Sequence, residues 1–142
     1  MTIQKQIGFS SLCGLDSAAL DPSVLRNCFL EAFGGDESMF SVVVETFVAF
    51  WPTCKAEIRS GLEGQNRTAI ERSGHQLKGA VSNFEAPAVY KLSALLEAEA
   101  PAADWHRVIA IVERLERHVQ LLCETLEAAA GTCKRISAAS TP

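Results

Sequence analysis

The sequence predicts an all-α domain, an antiparallel four-helix bundle with an additional short helix at its N-terminal end. Nearly every segment of the 142-residue chain that has a hydrophobic period has the helical one. Valine and isoleucine seldom alternate with polar residues, and the one valine cluster, at 42–44, lies inside a longer helical pattern. Short connections between the long helices favour antiparallel neighbours in a single bundle.

Capping residues mark the first two predicted helices. Asp21, followed by a proline, starts a short helix that ends at Gly34 and Gly35. Asp36 caps a longer second helix. The apolar side chains of this second helix recur at spacings of three and four: Phe40, Val43, Val44, Phe47, Val48 and Trp51. We expect Pro52 to kink the second helix, because proline removes a backbone donor and clashes with the preceding turn.

Three further helices complete the predicted bundle. Asn66 caps a helix that runs to about Phe84, and Pro87 opens the next helix. The last helix is predicted to run from about Ala103 to Ala130. Its predicted buried edge consists of Ile109, Val112, Leu115, Val119, Leu122 and Leu126.

Length and composition indicate one domain and exclude several function classes. We divide the chain into a loosely ordered N-terminal tail (1–20), the helical bundle (21–130) and a polar C-terminal tail (131–142). The formal net charge of −4 disfavours binding to nucleic acid. No apolar run approaches the roughly 18 residues of a membrane span, and the five scattered cysteines are typical of reduced thiols. We therefore expect a cytoplasmic monomer without a nucleic-acid or membrane partner.

The predicted third helix has an unusual polar face at residues 73–79, which read SGHQLKG. At about 100° per residue, Lys78 and Gly79 fall within about 60° of His75, and the apolar side chains cluster on the opposite side. His75 is therefore predicted to be exposed beside a cation. Gly79 would let another surface approach the backbone closely.

This arrangement favours phosphoryl chemistry. An exposed neutral imidazole is a competent nucleophile toward phosphorus, and a phosphorylated His75 would lie one helical turn from the Lys78 ammonium. The sequence has no glycine-rich loop of the kind that binds nucleotide phosphates. The phosphoryl donor is therefore predicted to be another protein.

The five residues from His75 to Gly79, HQLKG, resemble the H-x-[LIF]-K-G signature of the histidine-containing phosphotransfer (HPt) domain of multistep phosphorelays. The resemblance extends over roughly residues 22–128. It includes the approach to the second helix (FGGDESMF) and the segment after the histidine helix (NFEAPAVYKLSALLEAEA). It implies a four-helix bundle in which His75 takes a phosphoryl group from a receiver-domain aspartate and passes it to another receiver. Lys78 would offset the phosphoryl charge.

The resemblance also implies the partners, which are receiver domains of hybrid histidine kinases and of response regulators. No cofactor is expected in this chain, because the receiver would bring Mg²⁺. Gln76, Gly79 and Ser82 would border the docking receiver. Apolar residues of the first two helices would surround the histidine, and the candidates are Phe33, Met39 and Phe40. Plain core packing is the alternative interpretation for each of these three.

Two positions depart from the pattern of the resembled family. Glu85 stands where the family often has glycine, so a left-handed turn after the histidine helix would have to be built differently. Gly74 replaces a commoner alanine, and we expect this difference to leave the chemistry unchanged.

Two other function classes stay open at this stage, a receiver-docking module that transfers nothing and a plain structural bundle. The remaining polar residues do not favour another chemistry. His106 and His118 do not share a helical-turn spacing and are interpreted as solvated, and no metal site is expected. No second carboxylate is evident to pair with Glu97, Glu99 or Asp104 for acid–base catalysis.

Overall fold

The computed structural model describes residues 20–139 of the chain, and the side chains of residues 20–131. This part contains five α-helices and no strand, which confirms the predicted all-α class. The helices are α1 (Pro22–Ala32), α2 (Glu37–Glu63), α3 (Arg67–Val81), α4 (Pro87–Glu99) and α5 (Trp105–Ala139).

Helices α2 to α5 form a closed four-helix arrangement. Helix α3 packs against α2 and α4, and α5 packs against α4 and α2. The α2–α3 pair is antiparallel: Gly61, near the end of α2, lies against Ile70, whereas Cys54, earlier in α2, reaches the carbonyl of Ser73. The short helix α1 packs mainly on α5. These contacts place α3 between two helices and leave its remaining face to solvent.

The three predicted N-caps are present. The Asp21 carboxylate accepts hydrogen bonds from two backbone N–H groups in the first turn of α1. Asp36 accepts from the N–H of Met39, and Asn66 accepts from that of Ala69. Each cap satisfies donors that have no partner inside the helix.

Left-handed backbone occurs at two of the connections. Gly34 and Gly35, with φ of 75° and 80°, turn the chain between α1 and α2. In the described residues, Gln65, with φ of 53°, is the sole non-glycine residue with positive φ, and it turns the chain between α2 and α3. Glu85 does not have positive φ, so the α3–α4 connection needs no left-handed residue at that position.

Helix α2 continues through Pro52 without interruption. Proline removes one hydrogen bond from the helix interior. The buried residues Trp51 and Cys54 lie on either side of this site, so both halves of α2 are packed into the same core. This tertiary packing holds the helix together across the proline.

Apolar side chains from all five helices form one core. Its largest fully buried members are Phe29, Phe40, Leu25, Ile58, Ile70, Leu77, Leu92, Leu96, Ile111, Leu115 and Leu122. The predicted edge of α5 was wrong at Ile109, which is 40% exposed. Val108 and Ile111 are buried instead, because the apolar stripe of α5 runs from 108 through 111 and 112 to 115.

The C-terminal helix is longer than the sequence suggested. It continues past Ala130 to Ala139, so most of the stretch predicted as a polar tail (131–142) is helical. Residues 131–139 contain no proline, and Gly131 does not have the positive φ that would end the helix. Residues 1–19 and 140–142 lie outside the described residues. Leu20, the last residue of the predicted N-terminal tail, packs against the core.

Among the helices of the described region, none combines the length and the apolar character needed to cross a membrane.

Candidate functional site

The candidate site is built on the solvent-facing side of α3. The His75 side chain is 67% exposed, as the helical pattern predicted. Lys78 follows one turn later and is partly buried, and a Cβ built on Gly79 would meet no atom of the described residues within 4 Å. Leu77 and Val81 point the other way, into the core. The amphipathic pattern of α3 therefore fixes which side chains are available to a partner.

A carboxylate from α4 connects the two cationic groups of α3. One oxygen of Glu97, Oε2, lies 2.7 Å from Nδ1 of His75. Its other oxygen, Oε1, lies 2.7 Å from Nζ of Lys78. Glu97 thus contacts both residues at once, and the three side chains form a single cluster across the α3–α4 interface.

The electrostatics of this cluster favour the ionised forms of Glu97 and Lys78. The hydrogen bonds from Lys78 and then from His75 hold the pKa of the Glu97 carboxyl below its usual value. The hydrogen bond to Glu97 in turn raises the pKa of Lys78. Glu97 is therefore ionised at neutral pH and accepts hydrogen bonds only. In a neutral His75 the proton must then lie on Nδ1, and Nε2 carries the free lone pair.

Sequence reasoning missed Glu97. The sequence offered it as a carboxylate with no second carboxylate to pair with, because its partners are a histidine and a lysine on another helix. His75 and Glu97 lie 22 residues apart, so no helical-turn spacing relates them. Aligning α3 and α4 as an antiparallel hairpin could have indicated Glu97, because this arrangement places the end of α4 beside the middle of α3.

The predicted docking residues of α3 share one surface with His75. Gln76, Gly79 and Ser82 are all exposed. The Ser82 hydroxyl donates a hydrogen bond to the carbonyl of Gly79 at 2.6 Å, which satisfies an acceptor in the last turn of α3. These residues extend from His75 toward the C-terminal end of the helix.

The three apolar candidates of the first two helices have different environments. Phe40 is fully buried and its ring lies 5.2 Å from that of Phe29, so its assignment to the partner surface was wrong and core packing is its role. Phe33 is 37% exposed and stacks on Phe29, whereas Met39 is 41% exposed. Phe29 in turn approaches Phe84, just beyond α3. The role of Phe33 and Met39 around the histidine stays a prediction.

The histidines of α5 do not join the cluster. His106 is exposed, as expected. His118 is not solvated, which corrects the prediction: it is 9% exposed and lines a cavity of about 260 Å³ beside Leu20 and Val89. Burial, followed by the charge of the neighbouring arginines, lowers the pKa of His118. Within residues 20–131, no group of three or more metal-ligating side chains is placed to hold an ion.

One of the three comparisons with known proteins finds a match. A family model described as "Hpt domain" matches residues 42–137, which is more than half of the chain and includes α3, α4 and the whole Glu97 cluster. Searches of curated proteins and of solved structures find no match.

Proposed function

Because the chain belongs to the Hpt domain family, whose members are histidine phosphocarriers of phosphorelays, we propose that it accepts a phosphoryl group on His75 and passes it on. The donor is the phosphorylated aspartate of one receiver domain, and the acceptor is the aspartate of another. The observation that carries this proposal is the exposed His75 imidazole, whose Nδ1 lies 2.7 Å from the ionised Glu97. That contact leaves Nε2 available as the nucleophile.

In the proposed acceptance step, the Nε2 lone pair of His75 attacks the phosphorus of the aspartyl phosphate. The N–P bond forms while the P–O bond to the aspartate breaks, and that bonding pair leaves with the aspartate carboxylate. The imidazole keeps its proton on Nδ1 and becomes positively charged. Glu97 stabilises this charge, because its carboxylate already contacts Nδ1. Onward transfer reverses these changes on the second receiver.

Lys78 is proposed to offset the charge of the transferred group. In the free protein its ammonium pairs with Glu97 at 2.7 Å. A phosphoryl group on Nε2 of His75 would bring three further oxygen acceptors within one helical turn of this ammonium. Lys78 has three N–H donors, so it can contact a phosphoryl oxygen while it keeps its bond to Glu97.

The receiver is proposed to dock on the exposed face of α3. Gln76, Gly79 and Ser82 border His75 on this face, and Gly79 leaves room for close backbone approach. Phe33 and Met39 would add apolar contacts at the edge of the interface. The chain would need no cofactor, since the receiver would bring Mg²⁺. We propose that it acts as a cytoplasmic monomer between receivers of hybrid histidine kinases and of response regulators.

The test is transfer from radiolabelled phospho-receiver domains of the same organism to the purified protein. We expect a labelled band that is lost in acid and survives alkali, as phosphohistidine is. His75→Gln should remain folded and take no label. His106→Gln is the matched control, because it removes an exposed histidine outside the cluster and should be labelled as fast as the wild type.

A second pair of variants tests Lys78. Lys78→Ala should slow transfer, whereas Lys55→Ala, an exposed lysine on α2, should not. Labelling of folded His75→Gln at the wild-type rate would overturn the assignment. Receiver binding without any label on the wild-type protein would instead support a docking module that transfers nothing.

A further inference from the structure

The backbones of helices α3 and α4 approach each other closely beside His75. A Cβ built on Gly74 would lie 3.0 Å from the backbone nitrogen of Glu97 and 3.2 Å from the carbonyl oxygen of Ser93. Both neighbours are backbone atoms of α4, so they cannot move aside as the end of a flexible side chain could. Gly74 itself is buried in this contact.

The residue that Gly74 touches is the one whose carboxylate contacts His75 and Lys78. The Glu97 backbone lies against Gly74, and the Glu97 side chain reaches across α3 to both cationic groups at 2.7 Å. A glycine inside a helix costs about 1 kcal/mol relative to alanine. Helix propensity therefore gives no reason for a glycine at this site, whereas the spacing of the two helices does.

We propose that Gly74 is a positioning residue of the phosphoacceptor site: its missing side chain lets α4 approach α3, and this approach places the Glu97 carboxylate between His75 and Lys78. This inference rests on the proposed role of His75. It replaces the expectation from the sequence that a glycine before the histidine leaves the chemistry unchanged.

A methyl group at position 74 has a defined consequence. At 3.0 and 3.2 Å from backbone atoms, the added Cβ would displace α4 by a few tenths of an ångström at Glu97. Hydrogen bonds weaken as the donor–acceptor distance grows beyond its optimum. The contact between Glu97 and Nδ1 of His75 would loosen, so the proton would distribute over both ring nitrogens and less of the imidazole would have its lone pair on Nε2.

The experiment compares Gly74→Ala with Gly131→Ala. Gly131 also lies inside a helix, and a Cβ there would meet no atom of the described side chains within 4 Å, so this control carries the same gain in helix propensity without such a contact. Two quantities are measured on each folded protein. The first is the tautomer of neutral His75, from ¹⁵N spectra of the imidazole. The second is the rate of labelling by a phospho-receiver.

We expect Gly74→Ala to lower the fraction of the Nδ1–H tautomer and to slow labelling by about threefold to tenfold, since small misplacements of reacting groups reduce rates strongly. Gly131→Ala should match the wild type in both measurements. A double-mutant cycle then tests whether the effect of Gly74→Ala acts through Glu97. In a Glu97→Ala background, Gly74→Ala should change neither the tautomer nor the rate further.

Three outcomes would overturn the proposal: an unchanged tautomer in Gly74→Ala, an equal loss of rate in the Glu97→Ala background, or a Gly74→Ala protein that does not fold. The last two would show that the glycine serves docking or helix packing alone. The tautomer measurement does not depend on phosphotransfer. If no receiver labels the wild type while Gly74→Ala still shifts the tautomer, the proposed function fails and the positioning of Glu97 by Gly74 is supported.

Discussion

The guanidinium of Arg67 lies 4.2 Å from the centre of the Trp105 ring, so the first residue of α3 stacks on the first residue of α5. Its Nη1 also donates hydrogen bonds to the carbonyls of Ala100 and Ala103, at 3.0 and 2.6 Å. These carbonyls belong to the connection between α4 and α5. One side chain therefore ties three helices together at this end of the bundle.

Arg67→Ala is expected to lower the free energy of unfolding by about 2–3 kcal/mol, through the loss of charge-assisted hydrogen bonds and of the cation–π contact. Arg67→Lys should recover less than half of this, because lysine lacks the planar fork that reaches both carbonyls. Urea unfolding measures both. Arg72→Ala, at an exposed position of α3, is the control and should stay within about 0.5 kcal/mol of the wild type. Equal stability of Arg67→Ala and Arg72→Ala would contradict the prediction.

Truncation of two adjacent residues of α2 should lower the free energy of unfolding by very different amounts. Phe40→Ala should cost about 3–5 kcal/mol in unfolding free energy, because it empties a fully buried site beside Phe29. Met39→Ala should cost less than about 0.5 kcal/mol, because the side chain is 41% exposed.

The affinity for a receiver domain should also differ between Met39→Ala and Phe40→Ala. Titration of a receiver domain into Met39→Ala should show weaker affinity, as the proposed docking face requires. Phe40→Ala, at a temperature where it remains folded, should bind as the wild type does. Weakened binding by Phe40→Ala alone would contradict this division.

The Glu97 cluster should make stability depend on pH in acid. Because the pKa of Glu97 is lowered on folding, the stability contributed by its contacts is present above the ordinary glutamate pKa of about 4.3 and is lost as the pH falls through the lower folded value. The raised pKa of Lys78 has the opposite sign, so its contribution is lost above the ordinary lysine pKa of about 10.4.

The measurement is the difference in urea midpoint between the wild type and Glu97→Gln from pH 2 to 8. We expect this difference to be constant near neutral pH and to shrink as the pH falls through the acid range. Glu113→Gln, at an exposed glutamate of α5, provides the control. A wild-type advantage over Glu97→Gln that persists at pH 2 would contradict the charge-based account.

The thiols should differ in reactivity according to burial. Burial, with a smaller effect from Glu57, raises the pKa of Cys54 to about 12, and burial raises that of Cys123 to about 11. Since the thiolate is the reactive form, both should resist iodoacetamide at pH 8 in the folded protein. Partly exposed Cys28 should react before Cys54 and Cys123, the other two cysteines whose side chains the structure describes, and peptide mass spectrometry after timed quenching distinguishes the sites. Alkylation of folded Cys54 as fast as Cys28 would contradict the packing described for α2.

The features that could be predicted from the sequence are local ones. Caps such as Asp21 and Asn66 act within one helical turn, and the exposure of His75 follows from the helical period alone. The sequence could not show whether Phe40 is buried in the core or lies on the partner surface. The apolar stripe of α2 is wider than the part of the helix that contacts the core. The length of α5 was underestimated, since polar composition after Ala130 does not stop a helix that lacks a terminating residue.

Only part of the candidate site could be predicted, because some of its contacts are local and others join two helices. The His75 and Lys78 pair lies within one helix and is visible in the sequence. Glu97 joins them only through the packing of α3 on α4, which depends on the clearance at Gly74. The role of such a residue depends on the distance between two helices, and the hydrophobic period of neither helix indicates it.

The short sequence separation within the Glu97 cluster has a consequence for folding kinetics. His75 and Glu97 close a loop of 22 residues, whereas the ion pair between Arg59 and Glu116 joins residues 57 apart. The longer loop costs about 0.8 kcal/mol more chain entropy to close. The α3–α4 hairpin can therefore regain the geometry of its cluster before α2 and α5 have docked, and a transient opening of the bundle need not disassemble the cluster.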